Sequence, residues 1–159
     1  MENLEIRKNK IIRLSIGLVY LIFGVLKFFP GASPAEELAT NTIQILTFGF
    51  LPSYFGLIAL ALFESFIGIC LILNWQNKLI IYSAIAHITF TFTPIFLLPE
   101  QIFGENKFIF TLLSQYIFKN IIILGALFTL KIDLDSNKKK SMKRKLSNLI
   151  YSVKKWEFS

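Results

Sequence analysis

Apolar residues fall along this chain in four long blocks, over about residues 11–29, 51–73, 79–98 and 110–130. Each block is about 19–23 residues, and at 1.5 Å per residue a helix of that length spans about 30 Å, the hydrocarbon thickness of a bilayer. Inside the blocks the small and polar residues recur at steps of three and four. The first carries Arg13, Gly17, Tyr20, Gly24 and Lys27; the second Leu57, Ala61, Glu64 and Gly68; the third Ser83, His87, Thr91 and Pro94. In the fourth, Gln115 and Lys119 share one face, with Tyr116 and Asn120 on the next. Small and polar residues gather where helices touch in lipid, so these stripes turn inward. The pattern predicts an all-α, integral membrane, antiparallel four-helix bundle.

The connections add detail. Ser33-Pro34-Ala35-Glu36 has a capping-box pattern with Ser33 as N-cap, and Leu38, Ile43, Ile45, Leu46 and Phe48 follow it. This predicts a short interfacial helix in the first outer loop, closed by Gly49 and Pro52. The second outer loop, Pro99 to Asn106, reads as a polar turn holding Ile102 and Phe103. Pro94 removes the hydrogen bond to the Phe90 carbonyl and is expected to kink the third helix. Beyond residue 130, Asp133, Asp135 and Ser136 are expected to break the fourth helix. Met142, Leu146, Leu149, Ile150, Val153 and Trp156 then form one apolar stripe among Lys143, Arg144, Lys145, Lys154 and Lys155. Residues 131–159 therefore read as a basic amphipathic tail lying on an anionic cytoplasmic leaflet. Nucleic acid is set aside as a partner, because a tail tethered at the membrane meets lipid phosphate first.

Composition and charge set the orientation. The 159 residues are 54% hydrophobic and 17% charged, against about 25% charged in soluble domains. The net charge of +7 is concentrated before the first block, at Lys78 and in the tail, whereas the outer loops carry Glu36, Glu37, Glu100 and Glu105 against Lys107. The positive-inside rule thus places both termini in the cytoplasm of a multi-pass protein of the cell (inner) membrane. The first block reads as a retained helix, since Lys27, Phe28, Phe29 and Pro30 follow it where a cleavage site would need small residues. Cys70 is the sole cysteine, which excludes an internal disulfide and suits a small apolar filler.

Three groups stand out chemically. Glu64, His87 and Lys119 lie near the middle of separate spans, where a charge costs roughly 2.5–3.5 kcal/mol on insertion scales and calls for a partner. Counted from the midpoints, they fall at similar depths, with Lys27 ~10 Å outward and Arg13 ~10 Å inward. Glu64 is expected to pair with Lys119, with His87, Gln115 and Asn120 completing the hydrogen bonds. Such a cluster serves either as an assembly bolt or as a polar pocket for a headgroup or quinone carbonyl, or as a proton relay. A single His excludes bis-His haem ligation, and no Glu-x-x-His pattern, nucleophile elbow, phosphate loop or Cys cluster occurs. Neither catalytic residues nor metal ligands are predicted. Any redox centre would belong to a partner or to a diffusible quinone.

Arg13-x3-Gly17-x6-Gly24-x2-Lys27-Phe28, Phe63-Glu64-x3-Gly68, Gln115-Tyr116-x2-Lys119-Asn120 and the loop pair Ser33-Pro34-Ala35-Glu36 and Phe48-Gly49-Phe50-Leu51-Pro52 together resemble the DoxX family of small four-helix membrane proteins, over about residues 11–130. The family takes its name from a membrane subunit associated with a thiosulfate:quinone oxidoreductase. Other members are similar to parts of an oxidative-stress complex, and distant relatives resemble cargo receptors or chaperones. The resemblance implies a non-catalytic membrane subunit that binds a quinone or lipid-like molecule and docks an oxidoreductase partner. Transport or proton relay through Glu64, His87 and Lys119, and a structural or chaperone-like role, are the alternatives. The partners so implied are membrane lipids, an oxidoreductase and, as a further option, a second copy of the chain.

Overall fold

The computed structural model describes residues 2–75, 77–103 and 111–157, with side chains from 4 to 148 of these. Gly104, Glu105, Asn106 and Lys107 of the second loop, and Phe110 at the expected start of the fourth span, lie outside the described residues. So do the side chains of Leu149, Ile150, Val153, Lys154, Lys155 and Trp156 of the tail stripe.

Among the described residues the regular structure is all helical, with no strand. The helices are α1 (Glu2–Leu26), α2 (Glu36–Leu46), α3 (Ser53–Ile72), α4 (Lys78–Phe90), α5 (Pro94–Leu97), α6 (Pro99–Phe103), α7 (Leu112–Phe118) and α8 (Asn120–Glu157). Among the described residues three stretches are long and apolar enough to cross a membrane: Leu4–Leu26, Ser53–Ile72 and Lys78–Leu97, of 23, 20 and 20 residues. The fourth expected stretch is not among them. Lys119 separates the 7-residue α7 from α8, and α8 turns charged at Lys131, Asp133 and Asp135. Lys119 itself keeps right-handed helical backbone (φ −59°, ψ −25°), so the chain holds its helical course through the interruption.

Glycine sets the closest helix contact. A Cβ on Gly68 would lie 2.6 Å from the Leu21 nitrogen and 2.8 Å from the Gly17 carbonyl, and one on Gly24 would lie 2.7 Å from the Ser65 nitrogen. Only backbones stripped of side chains approach this far. Gly17 meets Gly68 and Leu71, while Gly24 meets Ser65 and Ala61, so α1 and α3 run antiparallel. Arg13 lies at one end of this pair and donates from one guanidinium nitrogen to the carbonyls of Leu71 and Ile72 (the latter at 3.0 Å), satisfying the exposed carbonyls at the end of α3.

Asn74, in left-handed backbone (φ 62°), ends α3 with Trp75 N donating to the Cys70 carbonyl at 2.8 Å. Asn77 then starts α4 by accepting from Leu79 N at 2.6 Å. α4 packs antiparallel to α8: Lys78 Nζ meets Asp135 Oδ1 at 2.5 Å and Asn120 Nδ2 donates to Thr91 Oγ1 at 2.9 Å. Ile16, Ile67, Leu71, Ile81, Ala84 and Leu127 form the core between these helices. Their outer faces are apolar too, with Leu18, Ile22, Leu62, Phe66, Leu79 and Ile122 exposed. Helices apolar on every side are what a lipid solvent requires.

Three local expectations are corrected. α2 begins at Glu36 rather than after Ser33, and its N-cap, Ala35, makes no side-chain bond. Glu36 instead reaches back to accept from Gly31 N at 2.8 Å. The chain does not merely kink at Pro94: α4 stops at Phe90, whose carbonyl, which proline cannot serve, accepts from Thr93 N at 3.0 Å and Thr93 Oγ1 at 2.8 Å. α8 passes through Asp133, Asp135 and Ser136 unbroken. Asp135 is occupied by Lys78 and has Lys131 and Lys139 one turn to either side, so its carboxylate supports the helix instead of competing for its backbone.

Candidate functional site

The close approach of α1 and α3 brings Lys27, at the end of α1, beside Glu64 in mid-α3. Lys27 Nζ donates to Glu64 Oε2 at 2.5 Å and to the Phe23 carbonyl at 3.2 Å, and both charged side chains are buried. The ammonium thus also closes the last turn of its own helix, where positive charge is favoured. The other carboxylate oxygen, Glu64 Oε1, lies 3.2 Å from His87 Nε2. His87 Nδ1 is 3.2 Å from Tyr20 Oη, which is 3.0 Å from the Ala84 carbonyl. Lys27, Glu64, His87 and Tyr20 therefore form one hydrogen-bonded chain across α1, α3 and α4.

This chain has a single adjustable proton. When Tyr20 donates to Ala84 O, its oxygen can accept only from a protonated Nδ1, and His87 is then an imidazolium beside the carboxylate. When Tyr20 donates to Nδ1, His87 is neutral with its proton on Nε2, facing Glu64. Either arrangement satisfies both carboxylate oxygens. The rings of Tyr20 and Phe63, centred 5.5 and 5.6 Å from the imidazole, hold it in place.

The chain forms part of the wall of a cavity of about 230 Å³. Tyr20, Phe23, Lys27, Glu64, His87 and Asn120 contribute its polar and aromatic side, together with Tyr116 and Lys119. Much of the opposite wall is α2, through Leu38, Ala39, Thr42, Ile43 and Leu46. Leu38 anchors α2 against Ile102 and Ile117 in a second small core. Ser33, also on the lining, is buried, and its hydroxyl has no hydrogen-bond partner among the described residues.

Lys119 is placed differently from the expectation. Its ammonium has no carboxylate within ion-pair distance among the described residues; it sits 3.7 Å from the centre of the Tyr116 ring and 4.1 Å from that of Phe23. The predicted Glu64–Lys119 pair is therefore replaced by Glu64–Lys27, because Lys27 and His87 occupy both oxygens of Glu64. Ring faces attract the cation electrostatically but accept none of its three N–H donors in the ordinary sense.

Of the residues expected at the site, Glu64, His87, Lys119, Asn120 and Lys27 line this one cavity. Arg13 does not, since the end of α3 occupies it. Gln115 is exposed on α7, and the buried polar residue of that helix is Ser114, whose hydroxyl donates to the Thr111 carbonyl at 2.7 Å. Phe23, Thr42 and the α2 wall escaped sequence reasoning. Phe23 is one step off the Tyr20–Gly24–Lys27 stripe, and only its aromatic ring marked it as a seat for a cation. Among the described residues no three His, Cys, Asp or Glu side chains converge as a metal site would need. No family model, no curated protein and no solved structure matches the chain.

Proposed function

We propose that the chain is a four-span membrane protein that binds a quinone or lipid-like molecule in the cavity between α1, α2, α4 and α7, and serves as a non-catalytic subunit docking an oxidoreductase. α7 and the first turns of α8 make the fourth span in this reading. Both termini face the cytoplasm of the cell membrane, as the distribution of Lys and Arg favours. The basic continuation of α8, with Lys138, Lys139, Lys140, Lys143, Arg144 and Lys145, meets anionic headgroups or a partner there. The resemblance to the DoxX family agrees with this reading.

The observation that carries the proposal is the cavity itself: a largely apolar lining that includes one ammonium, Lys119, with no carboxylate in ion-pair distance among the described residues. Its volume of about 230 Å³ exceeds the ~150 Å³ that accommodates a benzene, so a quinone ring or a lipid headgroup fits inside while an apolar tail extends beyond. Lys119 can donate to a carbonyl or anionic oxygen, and the Ser33 hydroxyl offers a second donor. The test is extraction of the protein from native membrane in gentle detergent, followed by mass spectrometry of what co-purifies. A quinone or lipid in near-stoichiometric amount is expected, and it should be lost when Ala39→Phe fills the cavity. Equal amounts with the two proteins would refute the proposal.

A second reading, proton relay, is favoured by one specific observation, the continuous chain Tyr20–His87–Glu64–Lys27. It requires pH-driven proton flux in proteoliposomes that disappears in Glu64→Gln.

A further inference from the structure

We infer that the cavity selects a single-chain amphiphile with a monoanionic carboxylate head, a long-chain fatty acid, whose carboxylate binds Lys119. This rests on the reading of the cavity as an amphiphile site and specifies its ligand. The lining carries two ammonium groups, Lys27 and Lys119, against one carboxylate, Glu64. Glu64 is fully engaged by Lys27 and His87, and Lys27 in turn spends donors on Glu64 and the Phe23 carbonyl. With His87 in its neutral arrangement, one positive charge is left over among the described lining residues, and it belongs to Lys119.

An unmatched charge at membrane depth is costly, and a ligand of opposite charge removes that cost. One ammonium balances one negative charge, which suits a carboxylate better than a doubly charged phosphate. Tyr116 and Phe23 hold the Lys119 ammonium over their rings without serving as ordinary acceptors for its N–H groups, which leaves those donors for a carboxylate. Ser33 Oγ, buried on the same lining with no partner among the described residues, is a further donor the cavity offers. A neutral quinone would accept from Lys119 and leave the charge uncompensated. The remaining volume is lined by Leu38, Ile43, Leu46, Leu60 and Ile123, and Leu46 and Phe90, which are on the lining and also exposed, give an apolar tail a way into lipid.

The test uses the full chain in nanodiscs of zwitterionic lipid, with cis-parinaric acid as fluorescent probe and its methyl ester as the neutral counterpart. The acid should bind about tenfold or more tightly than the ester, and lauric acid should displace it better than decylubiquinone or dodecyl phosphate. In Lys119→Met the acid should fall to the ester's affinity with the ester unchanged, while Lys119→Arg keeps the preference; thermal melts check that both variants fold. Equal binding of acid and ester by the wild-type chain overturns the inference and leaves the amphiphile site standing. Persistence of the preference in Lys119→Met also overturns it, and stronger displacement by dodecyl phosphate overturns the carboxylate. No binding of acid, ester or decylubiquinone would sink the amphiphile site with it.

Discussion

Replacing Glu64 with glutamine and Lys27 with methionine, singly and together, tests whether the buried pair holds α1 to α3. Each single change leaves a charge in a buried place without its counter-charge, a situation that costs about 3–5 kcal/mol in protein interiors. Glu64→Gln sits at the lower end, because one amide oxygen can still accept from Lys27 or His87, though not from both. Lys27→Met leaves the carboxylate with His87 alone. The double variant contains neither charge, and the amide can still accept from His87, so its loss should be about 2–3 kcal/mol in total. Against single losses that sum to about 6–8 kcal/mol, the resulting coupling is about 3–6 kcal/mol, at or above the upper end of the range for neighbouring groups that act together. Unfolding of the detergent-solubilised protein by SDS in mixed micelles measures all four species. The parallel cycle of Glu64→Gln with Lys119→Met should show no coupling, since Lys119 rests on Phe23 and Tyr116. A Lys27–Glu64 coupling below about 0.6 kcal/mol, the mean for ordinary hydrogen bonds between membrane helices, would refute the pairing. So would a Glu64–Lys119 coupling larger than the Lys27–Glu64 one.

Gly68→Ala should destabilise the protein by about 1–3 kcal/mol in the same unfolding assay, because its Cβ would meet backbone atoms of Leu21 and Gly17 that no rotamer can move aside. Gly125→Ala, on α8 with nothing within 4 Å of its Cβ, should be neutral or stabilising by up to about 1 kcal/mol. The hydrogen bond from Lys78, and then its charge, holds the Asp135 carboxyl below the usual aspartate range. The pair's contribution is therefore present above the unfolded value of about 3.9 and is lost as the pH falls below it through the folded value. Because the pair is partly exposed, the effect should be small and weakened by salt. A fluorescence distance between labels on α4 and α8 should widen on acidification in the wild-type chain and show no such acid step in Asp135→Asn.

The inward stripes of the second and third apolar blocks were legible because the spacing that marks a helix face does not depend on what the face touches. Leu57, Ala61, Glu64 and Gly68 are all buried, and His87 and Thr91 both line the cavity. What spacing could not supply was the offset between helices. Depth counted from midpoints set Lys27 far from Glu64, yet α1 and α3 are aligned by their glycines, Gly17 with Gly68 and Gly24 with Ser65. That register brings the end of α1 within a turn of Glu64, and the lysine stem covers the rest. The same limit applied to the fourth helix. Its polar residues divide between two faces, and only the packing of Ile117 beside Leu38 and Ile102 shows that Ser114 is turned inward and Gln115 outward.

The sequence left open whether the polar cluster is a bolt or a pocket, and the geometry divides it by residue. Lys27, Glu64, His87 and Tyr20 have their charges and hydrogen bonds matched to one another, which is what an element that fixes helix register needs. Lys119 and Ser33 face the same cavity with capacity to spare. Ser33 is buried and Lys119 half-buried; a buried hydroxyl without a partner costs stability in the empty protein, and a ligand that accepts from it would remove that cost. α2 is what makes the difference visible. With Leu38 seated on Ile102 and Ile117, the helix walls part of a cavity whose lining includes Lys119, an ammonium that Glu64 does not neutralise. Loosening α2 by Leu38→Ala would therefore open the cavity while leaving the Lys27–Glu64 pair intact, separating the two roles that share one set of helices.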